Sequence, residues 1–432
     1  MLRQRALSEP WKSMKEDALS RSNTVSNTKP YDLQYYIGAA ALSYILDEEN
    51  TQIHAFRVRD AIINQYSKLE LIDGDGWGGV VPPMGSFFVA ILALDIVYDA
   101  LSEEDITKCE EIISNQIFKI DRTGPWVDIR YGTHGTWDIY KGNRTTPDDD
   151  YYQGIMHQVT EDGVSPVTNH YAWERIGGGD SRLSKSGYMD VLEFTEIDQR
   201  YYNNPKMQKF YRWLFGSSIN CAKEMAIFGD MLPTQSIHNE MLHRRVVNFD
   251  SEAAGYASWF HKDTPAIGNI LTYILPKQAL PEALVPSSKI YSNGGAFFRD
   301  PTDDPDGLHG VLYNIKTQDE WHTHNEVNGL AISGYGNRLL VNGGRLGEPT
   351  RAANLNNTLT INGVNHSARV GGGIIEGFTT EIIDYSSGDS GPALTGATHI
   401  RNLILIHGTS SSLPYFVTFD DIQASPGDQV NN

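Results

Sequence analysis

The chain has 432 residues, with 35 Lys and Arg against 54 Asp and Glu, a formal net charge of −19. Hydrophobic residues at 40% and charged residues at 21% are the proportions of a globular chain, long enough for two or three domains and a large core. The acidic balance argues against general phosphate-backbone binding, although a local Arg and His cluster can still hold an anion, and no apolar run reads as approaching the roughly 20 residues of a membrane span.

Residues 1–20 are polar and charged and lack the apolar stretch of a secretory signal, so the expectation is a cytoplasmic chain or a processed periplasmic or secreted one. Residues 33–46 carry apolar side chains at helical spacing, 54–67 form a second amphipathic stretch, and 84–101 are strongly apolar. Ser102 with Glu103 and Glu104 reads as a capped helix start. Residues 204–228 read as one further long helix. Paired helices joined by Gly- and Pro-rich connections, without strands and without a fixed repeat, suggest a helical toroid or a solenoid-like array, of which an incomplete α/α toroid over residues 1–285 is the expectation. Residues 280–288 read as the linker. From residue 289 the texture changes to short strand-like segments, at 296–299, 310–315, 329–333, 338–341, 358–362, 374–384, 402–407 and 414–422, punctuated by Gly, Asn and Asp. They predict an antiparallel β-sandwich over residues 286–432, with 423–432 structureless. The fold class is therefore α+β and multidomain.

Four segments carry candidate chemistry. His134 lies between small residues in what reads as a polar turn after Gly124-Pro125, suited to exposed acid–base work. Asp162, Gly163 and Pro166 feed a helix that starts near Thr168 and packs Asn169, His170, Tyr171 and Arg175 into little more than one turn. Tyr171 and Arg175, four apart, share a helix face. His322 and His324 flank Thr323, so in a strand both imidazoles point to one face, to bind a metal or to divide a catalytic and a structural role. Asn342 ends one strand-like segment and Asn356 opens the next, and the two read either as turn residues or as weak oxygen ligands. Cys109 and Cys221 are too few for a disulfide framework, whereas 22 Tyr and 8 Trp suit stacking on sugar rings. The Gly-rich stretch from Asp73 lacks the later ligands of a calcium loop, and Asp148 to Asp150 reads as a solvated turn.

Helices followed by a β domain that opens on Trp321-His-Thr-His324 and continues to Asn356-Asn-Thr358 resemble the heparinase II/III-type polysaccharide lyases, which include alginate, heparin and heparan lyases and dermatan sulfate epimerase. Leu340-Val-Asn-Gly-Gly344 is similar to the family's strand end, Thr133-His-Gly-Thr-Trp137 to its Asn-His-Gly-Thr-Trp, and Asp162 through Tyr171 to the segment bearing its catalytic tyrosine. The resemblance implies β-elimination on a uronic-acid-containing acidic polysaccharide. It makes Tyr171, His134, His322 and His170 the acid–base groups and Asn169, Arg175, Trp137 and Trp321 the substrate contacts. It implies no required cofactor, with a structural divalent metal, zinc or manganese, falling to His324, Asn342 and Asn356. Thr133 departs from the family's Asn, so Asn169-His170 is an alternative Asn-His pair. Asn342 and Asn356 replace Asp and His, leaving His324 as the one strong metal ligand. Nucleic acid and a membrane span are not expected as partners. Three further readings stay open: a two-carboxylate hydrolase using Glu193 with Asp190 or Asp198, or the Asp148 to Asp150 run, a non-catalytic glycan-binding protein, and a uronyl C5-epimerase.

Overall fold

The computed structural model describes residues 2–23, 29–74, 76–123, 126–177, 187–219, 225–232, 245–260, 270–300, 302, 304, 306–317 and 322–431; for Pro30, Tyr31, His170 and Glu348 the backbone alone is described. The first half is helical. Helix Pro30–Leu46 packs against helices Trp11–Ser22, Thr51–Asn64 and Gly76–Val97, and the last of these also meets Val127–Tyr140. Small Ala39, Ala40 and Ala41, all fully buried, let the helices approach closely. Gly76–Val97 corrects the sequence reading. It is a helix of 22 residues, long and apolar enough by composition to cross a bilayer, and 83% of its most apolar window is buried inside the protein. A helix that is apolar all round is a core helix when other helices surround it.

Local signals explain most boundaries. Ser102 Oγ accepts a hydrogen bond from Asp105 N at the start of helix Glu103–Ile117. Ser102→Ala is expected to cost about 1 kcal/mol, read as a small drop in the denaturation midpoint. The helix expected over 204–228 stops earlier, at Pro205–Gly216. Its end is held from the β domain: the buried Arg299 guanidinium donates to Gly216 O at 3.1 Å and to Ser218 O. That long-range cap turns the chain out of the helix, and Ser218 then bridges to Met225. The last helix described ends at Ile274 and the first strand begins at Lys289.

The second half is an antiparallel sandwich. One sheet has the order β1 (Lys289–Tyr291), β2 (Gly295–Arg299), β3 (His309–Tyr313), β4 (Gly329–Gly334) and β5 (Asn337–Leu340). The other has the order β10 (Tyr415–Gln423), β9 (Thr398–Ile406), β8 (Ile383–Asp389) and β7 (Gly373–Thr379). Ala296, Phe298, Leu312 and Leu330 of the first meet Leu403 and Leu405 of the second in one apolar cluster. Two strand expectations are corrected. The segment 374–384 is a hairpin rather than one strand, broken where Thr380 Oγ1 accepts from Ile383 N and donates to Ile383 O. The tail is not structureless: β11 (Val430–Asn431) pairs with β6 (Thr360–Ile361).

Candidate active site

Three chain segments far apart in sequence meet between the two halves. The first is helix Thr168–Ala172, which runs on into a π-turn at Trp173–Gly177. Its first residue, Thr168, has φ +70°. The second is the Phe228-Gly229-Asp230 turn. Gly229 has φ +60°, and a Cβ there would lie 2.4 Å from Thr168 Cγ2 and 2.5 Å from His322 O, so only glycine allows this approach. The third is the stretch from His322 to Asn328 that leads into β4. The expectation of a strand at His322-Thr-His324 is corrected: these residues are irregular, and the strand starts at Gly329. Asp230 N donates to His322 O at 3.0 Å, which ties the second segment to the third.

Both imidazoles nevertheless reach one group. Asp230 Oδ2 accepts from His322 Nδ1 at 3.1 Å, and Oδ1 accepts from His324 Nε2 at 2.9 Å. Arg351 Nη2 donates to the same Oδ2 at 3.1 Å. Burial pushes the Asp230 carboxyl up, but the two imidazole hydrogen bonds and the Arg351 charge outweigh it and hold the group well below the usual carboxylate range. Asp230 is therefore an anion that fixes two rings.

Tyr171 stacks on His322, with ring centroids 3.5 Å apart and planes 17° from parallel. Arg345 Nη1 donates to Tyr171 Oη at 3.0 Å. Arg175 lies over the Tyr171 ring at 5.6 Å and places Nη2 3.5 Å from His322 Nε2. A guanidinium only donates, so this contact and the Asp230 bond together select the neutral tautomer with the proton on Nδ1 and a lone pair on Nε2. Burial raises the Tyr171 phenol, as do Glu174 and Asp230, and Arg345 and Arg175 offset only part of that. The cation at the phenol oxygen is thus Arg345, which the sequence reading did not single out; Arg175 sits on the ring face. In this state Tyr171 holds its proton at neutral pH and His322 offers a base.

Two buried polar groups beside these residues stand out. The Asn169 amide is 1% exposed, and neither its oxygen nor its nitrogen has a hydrogen-bond partner among the described residues. Glu326 is fully buried and accepts from Gly229 N at 2.5 Å, and its Oε2 has no partner among the described residues. Burial, joined by the Asp230 charge, pushes its carboxyl up to about 8. A carboxyl raised in the folded state favours the protonated form, so its contribution to stability is present at acid pH and is lost as pH rises toward about 8. Glu326→Gln keeps the acceptor for Gly229 N and removes this cost. The variant is expected to melt above the parent at neutral pH and level with it at pH ~3, below the ordinary glutamate range. Thermal melts at the two pH values check this.

The other candidates fall elsewhere. His134 is not in a polar turn. It lies inside helix Val127–Tyr140, 2% exposed, with Nε2 bonded to Ile120 O at 2.8 Å and the ring against Phe118. Burial lowers its pKa, and it shares no hydrogen bond with Tyr171 or His322. Small residues surround it because a helix packs there: a Cβ on Gly135 would fall inside the Tyr188 ring. Trp137 is 6% exposed in the same helix, its ring against Tyr140, so it offers no face to a sugar in this structure. Trp321 and the His170 side chain lie outside the described residues. Thr133 is buried and bonds Met84 O.

The proposed metal donors are committed elsewhere. Asn342 Nδ2 donates to Ile227 O and Leu330 O while its oxygen accepts from Asn357 N. Asn356 Nδ2 donates to Thr350 O and Ala352 O, and its oxygen accepts from Gly343 N. His324 Nε2 is held by Asp230. Among the described residues no group of three or more His, Cys, Asp or Glu is placed to hold a metal. The amides act as backbone clamps, and this donor set does not fit zinc or manganese.

The carboxylates of the hydrolase alternative are also committed. Asp190 pairs with the buried Arg245, Glu193 Oε1 accepts from Tyr201 N and Tyr202 N, and Asp198 is forked by Arg200. Asp148 corrects the solvated-turn reading: it is 4% exposed, caps helix Asp149–His157 and accepts from Tyr188 Oη.

The solved structures that this fold resembles are now informative. A heparinase III structure with methylated lysines matches with a TM-score of 0.60 at 16% identity, over 93% of this chain and 65% of that one. A second heparinase III structure gives 0.57 at 16% identity, over 97% of this chain and 71% of that one. A Paenibacillus xanthan lyase gives 0.39 at 11% identity, over 93% and 45%. No protein-family model matches the chain, and no curated protein matches it by sequence. The two heparinase III structures establish the fold, a helical half followed by antiparallel sheets, and the chain spans 65% of the length of the first.

Proposed function

We propose that the protein is a polysaccharide lyase that cleaves a uronic-acid-containing chain by β-elimination. The observation that carries this reading is the stacked pair itself: a protonated phenol under Arg345 and a neutral imidazole oriented by Asp230, side by side. The heparinase III fold, a helical half that we take as an incomplete toroid closed by the β domain, supports it. In β-elimination a base removes the proton α to the uronate carboxylate, and an acid protonates the leaving glycosidic oxygen. His322 Nε2 is the base and Tyr171 Oη the acid in this scheme, an assignment that follows from the raised phenol. Arg345 and Arg175 stabilise the charge that builds on the carboxylate as the enolate forms, and the Asn169 amide, without a hydrogen-bond partner among the described residues, supplies a further donor. Arg175 beside His322, Arg345 on the Tyr171 hydroxyl and Arg351 on Asp230 bring three cations to this cluster on an acidic protein, suited to an anionic polymer.

The same geometry favours a lyase over an epimerase. Inverting the sugar needs proton exchange on opposite faces of the ring, whereas Tyr171 and His322 form one wall. The test is incubation with a panel of uronate polymers, including alginate, heparosan and hyaluronan, while following the ultraviolet band of a 4,5-unsaturated product. A rise with one polymer is the expected result. Exchange of the C5 proton with solvent deuterium without any absorbance change would replace the lyase with an epimerase.

A further inference from the structure

A second concave site lies in a different part of the molecule. A groove of about 750 Å³ runs between the 285–290 segment, the tip of the β7–β8 hairpin and the end of β9. Its walls come from other segments than those holding Tyr171 and His322. Its size is that of an ordinary small-ligand pocket. Phe378 stands at its edge, 48% exposed, with its ring 5.6 Å from that of Tyr385 on the neighbouring strand. An exposed aromatic ring on a sheet normally needs no explanation, but this one borders a groove with a built polar wall.

That wall is Asp384 and His407. Asp384 is 1% exposed, and its Oδ1 accepts from Thr380 N at 3.1 Å. Its Oδ2 lies 3.1 Å from His407 Nε2 without the alignment of a hydrogen bond and has no hydrogen-bond partner among the described residues. His407 Nδ1 is likewise unbonded, 3.7 Å from Asp300 Oδ1. Buried polar atoms are normally hydrogen-bonded, so a carboxylate oxygen in a groove wall whose one close contact, His407 Nε2, lacks hydrogen-bond alignment marks a place where a ligand hydroxyl would complete it. Glu381 adds a second carboxylate on the rim, and the Thr379 and Thr380 side chains line the same side.

The chemistry selects the ligand. Two carboxylates line the groove and disfavour an anion, and its two permanent cations are engaged elsewhere: Lys289 lies 3.4 Å from Glu252, and Arg299 donates to Gly216 O and Ser218 O. A purely apolar guest would leave the Glu381 and Asp384 carboxylates without a donor from the groove. A pyranose satisfies both demands, laying its C–H face on the Phe378 ring and donating its hydroxyls to carboxylate oxygens. We propose that this groove is a second carbohydrate site that takes neutral, hydroxyl-rich sugar units and holds a polymer at a distance from Tyr171.

The test is direct binding of the intact chain to N-acetylchitohexaose, cellohexaose and maltohexaose, followed by calorimetry. Saturable binding to at least one is expected, weakened about ten-fold by Phe378→Ala, the loss of one stacking contact. Glu381→Gln, an exposed substitution that leaves the core untouched, weakens it further. Tyr171→Phe leaves this affinity unchanged, so the result does not depend on the lyase reading. The proposal is overturned if none of the three binds, or if Tyr171→Phe abolishes binding while Phe378→Ala does not.

Discussion

Tyr171→Phe is expected to lower turnover by about two to four orders of magnitude, the usual worth of a positioned acid or base, with the fold intact. The substitution removes one oxygen and leaves the ring that stacks on His322. The lost hydrogen bond is the one from Arg345, which is exposed and keeps water as a partner, so little stability goes with it. Initial rates on whichever uronate polymer the parent cleaves, set beside the melting temperatures of parent and variant, give both readings. Retention of most of the rate would remove Tyr171 from the chemistry and transfer the acid role to another donor. Arg345→Ala is the companion measurement. It removes both the donor at the phenol and part of the cationic field, so it should lower turnover and weaken polymer binding together.

The second large effect belongs to Asp230. Asp230→Asn keeps the shape but removes the charge that holds His322, His324 and Arg351. Leaving the buried His324 and the partly buried His322 and Arg351 without their acceptor costs about 1–3 kcal/mol, and His322 loses the bond that selects its tautomer, so stability and turnover fall together. The pH dependence separates this from a simple packing defect. The folded-state pKa of Asp230 is depressed, so its contribution to stability is complete above the ordinary carboxylate range and is lost as pH falls below that range toward the depressed folded-state value. The stability gap between parent and variant should therefore be wide at neutral pH and close at acid pH. Urea unfolding at both pH values measures it. A gap that stays constant with pH would mean that Asp230 contributes shape rather than charge.

Much of the site's helix was legible in sequence. Gly163 and Pro166 before an apolar run placed a helix start at Thr168, and the structure starts it there. The spacing of Tyr171 and Arg175 put both on one face, and both meet His322. The partners that tune these groups were not legible. Asp230 follows an apolar run that reads as the continuation of a helix, and Arg345 and Arg351 sit in a Gly-rich connection with no periodic pattern. The Phe228-Gly229-Asp230 turn was the available signal, since a glycine and an acid closing an apolar run mark a tight turn with a carboxylate at its end. His134 misled in the opposite way. Glycine and threonine around a histidine read as a loop, but here they are the small residues of a helix packed against Tyr188.

The amino-acid sequence by itself determined the two textures of the chain, helical periodicity up to the linker and short Gly-punctuated strands after it, because those patterns are local and repeat along the backbone. It also singled out Tyr171, Arg175 and His322, which the fold brings together. Only the tertiary structure decided that Asp230 joins the two histidines, that Arg345 rather than Arg175 faces the phenol oxygen, and that Asn342 and Asn356 clamp backbone instead of offering ligands. Each of those outcomes depends on groups separated by tens to more than a hundred residues meeting within hydrogen-bond distance. Burial then sets which of them keeps its proton, and neither distance nor burial is encoded in local pattern.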